Sequence, residues 1–201
     1  MEVSFGGASA EAAYAHVRSL LVPAILNHSV RVWLLADHLA RREGIDAPER
    51  ESLAVACQFH DVGTAHQHDG PQRFEVEGAD AASAFLSRHR WPAPLIKGVW
   101  EAIALHTSPG IAERMGRLPR LVRVGVRADF GATELIGTDD EDRLASALAL
   151  FPRLNIESVL GEAVVAQALR CPGKAPSSSW PGGLLAAHLA NPEHSGVNPA
   201  F

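Results

Sequence analysis

The chain has 201 residues, 47% apolar and 20% charged, with a formal charge of −5. That is the balance of one ordinary globular domain, long enough to bury a sizeable core. The negative balance argues against general binding to nucleic acid, which calls for a basic patch, and no run of about 18 apolar residues exists to span a membrane. Alanine and leucine recur, β-branched runs are scarce, and no Asn-Gly or Asp-Gly hairpin signal occurs, so the expected fold is all-α. Cys57 in a core-like helix and Cys171 in a loop read as free thiols of a reducing compartment. The start, Met1 to Gly7, lacks a basic region followed by an apolar stretch, so no signal peptide is expected and the cytoplasm is the expected location.

A first helix is predicted over 10–22, stopping at Pro23. The second runs from an N-cap at Asn27 to Arg42, with Gly44 ending it. On it His28 shares a face with Val32, Leu35 and Leu39, whereas His38 points elsewhere, to the surface. Asp46-Ala47-Pro48 opens a third helix, on which Leu53, Ala56, Cys57 and His60 fall in line before Asp61 and Gly63. Taken alone, such a His–Asp pair is a core histidine beside a solvated carboxylate. The loop 64–71 follows, carrying Thr64, His66 and His68, and the two histidines there are either exposed or pocket residues.

The helix over 74–89 lines up Glu75, Ala79, Ala82 and Leu86. After the rigid connection Trp91-Pro92-Ala93-Pro94, a helix carries Ile96, Val99, Ile103 and His106 until Pro109 breaks it. From Pro119 to Phe130, Val122, Gly125 and Asp129 lie in line, while Arg117, Arg120, Arg123 and Arg127 make a solvated face or pair with acids. An acidic helix start at 138–142, helices over 142–151 and 155–170, a linker over 172–179 and a short helix over 184–189 complete the chain, and no internal repeat is visible.

His28, His60, Glu75, His106 and Asp129 thus come from five helices, each at or near the end of an apolar stripe, and Asp61 adds a further carboxylate. Such groups buried unpaired would cost roughly 2–7 kcal/mol each even when neutral, so a shared cation is the economical partner. Histidine and aspartate donors suit Zn²⁺, and Fe²⁺ as the other ion such a set accepts, with positions left for water.

The pattern His28…His60-Asp61…Asp129 resembles the H…HD…D signature of the HD-domain superfamily of metal-dependent hydrolases. The runs His60–Thr64, Phe74–Ala79, Ala104–Thr107 and Val124–Asp129 are similar to its cyanamide hydratase-like branch. The resemblance spans about 25–135 and implies a single helical HD domain over 1–201, with a C-terminal helical extension over 138–201. It implies one divalent metal, Zn²⁺ first, on His28, His60, Asp61 and Asp129. Dinuclear relatives carry a further histidine where Phe74 stands, so a single metal is expected unless His66 or His68 joins. The activity implied is hydration of cyanamide, or a related small nitrile, to urea. Asp61 or His106 would handle protons, and Thr64 and Glu75 would orient substrate or water. The alternatives are a phosphohydrolase gripping phosphate with Arg31, Lys97 or Arg127, a regulatory module without chemistry, and a di-iron oxygenase, which Phe74 disfavours. The expected partner is a small molecule, with no nucleic acid and no membrane, and self-association is left open.

Overall fold

A computed structural model describes residues 4–137 and 141–192. Among them the chain forms α1 (Ala8–Val17), α2 (Pro23–Arg42), α3 (Ala47–Phe59), α4 (Phe74–Arg88), α5 (Ala93–Leu105), α6 (Arg117–Asp129), α7 (Glu141–Ala149), α8 (Ile156–Arg170) and α9 (Trp180–Ala190), with no strand. The all-α expectation holds. The acidic start expected at 138–142 lies partly outside the described residues.

Prolines account for the largest boundary differences. Pro23 starts α2 as its first residue instead of stopping α1, which has already ended at Val17. The fixed φ and missing N–H of proline suit the first helical turn as well as a helix stop. Pro94 likewise lies inside the first turn of α5, and Pro181 inside that of α9, which Ser179 caps by accepting from the Gly182 amide. Starting α2 earlier moves His28 into its second turn.

Helices α2, α3, α5 and α6 pack on one another around one apolar core that includes Val32, Trp33, Leu53, Ile103, Leu121 and Val122. Two close approaches fix the geometry. Gly125 of α6 lies against α2, where an added Cβ would stand 2.8 Å from the Val32 carbonyl oxygen. Gly63 meets the start of α4, where a Cβ would stand 1.9 Å from the Phe74 carbonyl oxygen. Both glycines let backbones touch where a side chain would separate them. Helix α8 packs on the turn after His60, and there Gln167 donates to the Gly63 carbonyl at 2.9 Å.

Candidate metal centre

His60 caps the C-terminus of α3, His106 caps that of α5, and Asp129 is the last residue of α6. Helix C-termini carry partial negative charge on unpaired carbonyls, so three of them contributing to one site favour a cation there. His28 reaches the same place from α2. The rings of His28 and His60 lie 5.1 Å apart and those of His60 and His106 4.9 Å apart.

The burial is close to complete: His60 is 0% exposed, His28 and Asp61 1%, and His106 2%. The His60 Nδ1–H donates to the Cys57 carbonyl at 2.7 Å, and the His106 Nδ1–H to the Ile103 carbonyl at 2.7 Å. A carbonyl only accepts, so each bond fixes the tautomer and leaves Nε2 with its lone pair. Asp61 divides its oxygens. Oδ2 faces His60 Nε2 at 3.1 Å and His28 Nε2 at 3.7 Å, and Oδ1 faces His106 Nε2 at 3.6 Å.

The donor set fits a metal. His28 Nε2, His60 Nε2 and both Asp61 carboxylate oxygens are buried with no hydrogen-bond partner. Orphaned groups of this kind cost about 1–3 kcal/mol each and are rare without a reason. One donor atom from each of these three residues lies within 4.8 Å of the others. Ligand atoms about 2.0–2.2 Å from a tetrahedral ion stand about 3.3–3.6 Å apart, close to the 3.1 and 3.7 Å that separate Asp61 Oδ2 from His60 and His28 Nε2.

Charge follows the same geometry. Burial works against an ionised Asp61, but His60, His106 and His28 outweigh it and hold the carboxyl well below its ordinary range. Burial likewise opposes charge on His60, and Asp61 overrides it and raises the pKa. For His106 burial prevails over Asp61, and its pKa is lowered.

The other expected site residues fall around this set. Asp129 meets the centre through His28, its Oδ2 accepting from the His28 Nδ1–H at 2.7 Å. Glu75 is buried, but its Oε1 accepts from Arg73 Nη2 at 2.5 Å and from the Thr107 hydroxyl at 2.5 Å, so it braces the segment after His106. Thr64 is half-buried, its hydroxyl donating to the Asp61 carbonyl of its own turn at 2.7 Å. His66 is exposed and His68 half-buried, and neither belongs to the donor group. His38, expected at the surface, is half-buried.

Several residues take roles here that the sequence did not signal. Arg31 and Arg153 pair with Asp129, Arg73 with Glu75, and Arg123, expected on a solvated face or paired with acids, is buried, lies 3.7 Å from Glu113 and donates to the His106 carbonyl at 3.0 Å. Beside the centre lies a cavity of about 500 Å³, lined by Arg73, Thr107, Ser108, Ser178 and Trp180 among others. Phe74 stands between them, its ring 5.6 Å from His106 and 6.0 Å from Trp180.

A family model described as HD domain matches residues 25–147, the stretch that carries His28, His60, Asp61 and Asp129. The chain belongs to the HD domain family. No curated protein matches it. With the buried His28–His60–Asp61 group, membership makes this HD domain a metal-dependent hydrolase-type enzyme. No helix among the described residues is long and apolar enough to cross a membrane.

Proposed function

We propose that this HD domain adds water to a small neutral nitrile, cyanamide first, giving urea, with one divalent cation, Zn²⁺ before Fe²⁺. The observation that carries the proposal is the division of Asp61, one oxygen toward the two donor histidines and the other toward His106. His28, His60 and Asp61 would hold the ion, a set of two imidazoles and one carboxylate that leaves a position for water. A divalent cation held there would supply the acidity that brings the pKa of a water from about 16 toward about 7.

The chain's own groups then manage protons and access. Asp61 Oδ1 orients the attacking water, because Oδ2 faces the donor histidines. His106 keeps Nε2 free for the proton that must reach the nitrile nitrogen as oxygen joins the carbon. Its lowered pKa keeps the ring neutral near pH 7, able to accept a proton and pass it on. A second proton shift turns the adduct into urea, so water is consumed whole and nothing is released. Arg73, Glu75 and Thr107 hold the His106 end of α5 in place, and Thr64 holds the Asp61 turn.

Size and charge favour this substrate over a phosphate ester. The donor atoms are sealed, with Phe74 and Phe130 rings against His106 and His28. Of the cations expected to grip phosphate, Arg31 is bonded to Asp129, and Lys97 is an exposed surface residue paired with Glu101. The test measures zinc content and urea formation from cyanamide on the same preparation, beside hydrolysis of bis(p-nitrophenyl) phosphate. Urea formed in proportion to bound zinc is expected. Zinc-loaded protein that cleaves the phosphodiester and leaves cyanamide intact would refute the proposal.

A further inference from the structure

A nitrile as small as cyanamide leaves most of the space beside the centre unused. The cavity there holds about 500 Å³, within the roughly 300–1,000 Å³ of sites that take a drug-sized ligand. It adjoins His106: Thr107 and Ser108, which line it, follow that residue directly, and the Phe74 ring lies between His106 and the cavity wall at Trp180. Ser178 and Trp180 come from beyond the stretch 25–147 matched by the family. Their segment is fastened to the body of the protein. Buried Lys174 donates to Asp69 Oδ1 at 2.7 Å and to the Gly70 carbonyl at 2.8 Å, shortly before Arg73.

The lining is polar without net charge. Among the described residues that line the cavity Arg73 alone is charged, and Glu75 neutralises it, accepting from Nε at 3.3 Å and from Nη2 at 2.5 Å. Glu75 is itself buried and also accepts from the Thr107 hydroxyl, so this pairing is set before any ligand arrives. Helix α9 begins at the cavity but is a poor grip for an anion. Pro181 has no N–H, and Ser179 takes that of Gly182 through its hydroxyl and that of Gly183 through its carbonyl. What remains for a ligand is uncharged hydrogen bonding at Ser108 and Ser178, beside the apolar surfaces of Ile111 and Trp180. A carboxylate or phosphate moved there would give up hydration against a cation already neutralised.

We propose that this cavity takes an uncharged, hydrogen-bonding substituent of the substrate, which makes the substrate class a substituted cyanamide or nitrile with cyanamide as its smallest member. A nitrile is linear and thin, the part of such a molecule best suited to lie past the edge of Phe74 toward His106. The bulkier remainder stays in the cavity. Ser178 and Trp180, outside the family match, thereby set which members of the class are accepted. The proposal rests on the nitrile reading above for the reacting group, and on the cavity alone for the preference for an uncharged substituent.

The test is calorimetric titration of zinc-loaded, full-length protein with product-like probes that cannot react further: urea, N-(2-hydroxyethyl)urea and the anionic N-carbamoylglycine. Hydroxyethylurea should bind about 10-fold more tightly than either of the others, a difference of about 1.4 kcal/mol. Ser178→Trp, which fills the cavity, should abolish the advantage of hydroxyethylurea over urea. Glu75→Gln leaves Arg73 without its neutralising partner and should turn the preference toward carbamoylglycine. Hydroxyethylurea bound no better than urea, carbamoylglycine bound as well as hydroxyethylurea by the wild type, or an advantage that survives Ser178→Trp would each overturn the proposal. A folded Glu75→Gln protein with the wild-type preference would overturn it too; if that variant does not fold, the wild-type comparison and Ser178→Trp decide. Cyanamide left intact by protein with the expected binding pattern sinks the nitrile reading while the cavity's preference stands. Cyanamide hydrated by protein with no preference among the probes sinks this proposal alone.

Discussion

Gly63→Ala tests whether the centre depends on backbone contact between the His60-Asp61 turn and α4. The new Cβ would stand 1.9 Å from the Phe74 carbonyl oxygen and 2.9 Å from the Gly78 amide nitrogen. Ordinary contact distances are about 3.5 Å, so the turn and the helix must part by more than 1 Å. Both neighbours are backbone, and no side chain can swing aside. Overpacking of this kind costs about 1–3 kcal/mol. For a chain of this size that lowers the melting temperature by about 2–12 °C. The same displacement moves Asp61 relative to His28, so zinc affinity and turnover fall as well; a misplacement of about 1 Å can cost 10²-fold in rate. Gly161→Ala is the control, because it lies within α8 with nothing within 4 Å of an added Cβ. There the gain in helix preference, about 0.5–1 kcal/mol, should raise the melting temperature by about 1–4 °C. The assay is thermal unfolding of both variants with and without zinc, together with metal content. Gly63→Ala that melts with the wild type and holds full zinc would refute the close-packing argument.

His106→Gln should retain zinc while turnover drops by roughly 10²–10⁴-fold, the usual contribution of a positioned acid or base. Unchanged turnover at full zinc occupancy would remove His106 from the mechanism. Asp69 fastens the loop after the centre to the C-terminal region, accepting from buried Lys174 at 2.7 Å and from Arg170 at 2.6 Å. Burial opposes its charge, but these two cations outweigh burial and hold its pKa below the ordinary carboxylate value. A depressed carboxyl contributes stability above its unfolded pKa of about 3.9 and loses it as pH falls through the folded value. Asp69→Asn should therefore melt several degrees lower at pH 7, with the gap to wild type closing below about pH 4; a gap as wide at pH 3 would contradict the assigned ion pair.

Helix existence was legible in the periodicity of apolar residues, since the stripes through Val32, Leu53, Ala82, Val99 and Val122 all lie in the core. Helix ends were less so at proline, because the same residue stops one helix and starts the next. Pro23 and Pro94 show it: each reads locally as a break, and each lies in a first turn. The arginines of α6 illustrate the other limit. Arg117, Arg120 and Arg123 all pair with acids, Glu49, Glu43 and Glu113, as one of the two expectations had it, but Arg123 is also drawn inside by the His106 carbonyl. Only the tertiary position of that carbonyl distinguishes it from its neighbours.

At the centre, the sequence indicated which residues converge better than how their atoms are aimed. His28, His60 and His106 were identifiable because each is a titratable group at or near the end of an apolar stripe, and Asp61 because it follows His60 directly. What periodicity does not carry is the partner of each ring. For His60 and His106 that partner is local, three residues back, and follows from a position at a helix C-terminus. For His28 it is Asp129, 101 residues away, and for Asp129 it includes Arg153, beyond the family match. A histidine within a helix must borrow its acceptor from elsewhere, so its aim is set by tertiary packing. In this chain that packing is the contact of Gly125 with Val32, one helical turn before Asp129 and His28 meet. The direction of His28 Nε2, and with it the metal centre, is thereby tied to a glycine that has no chemistry of its own.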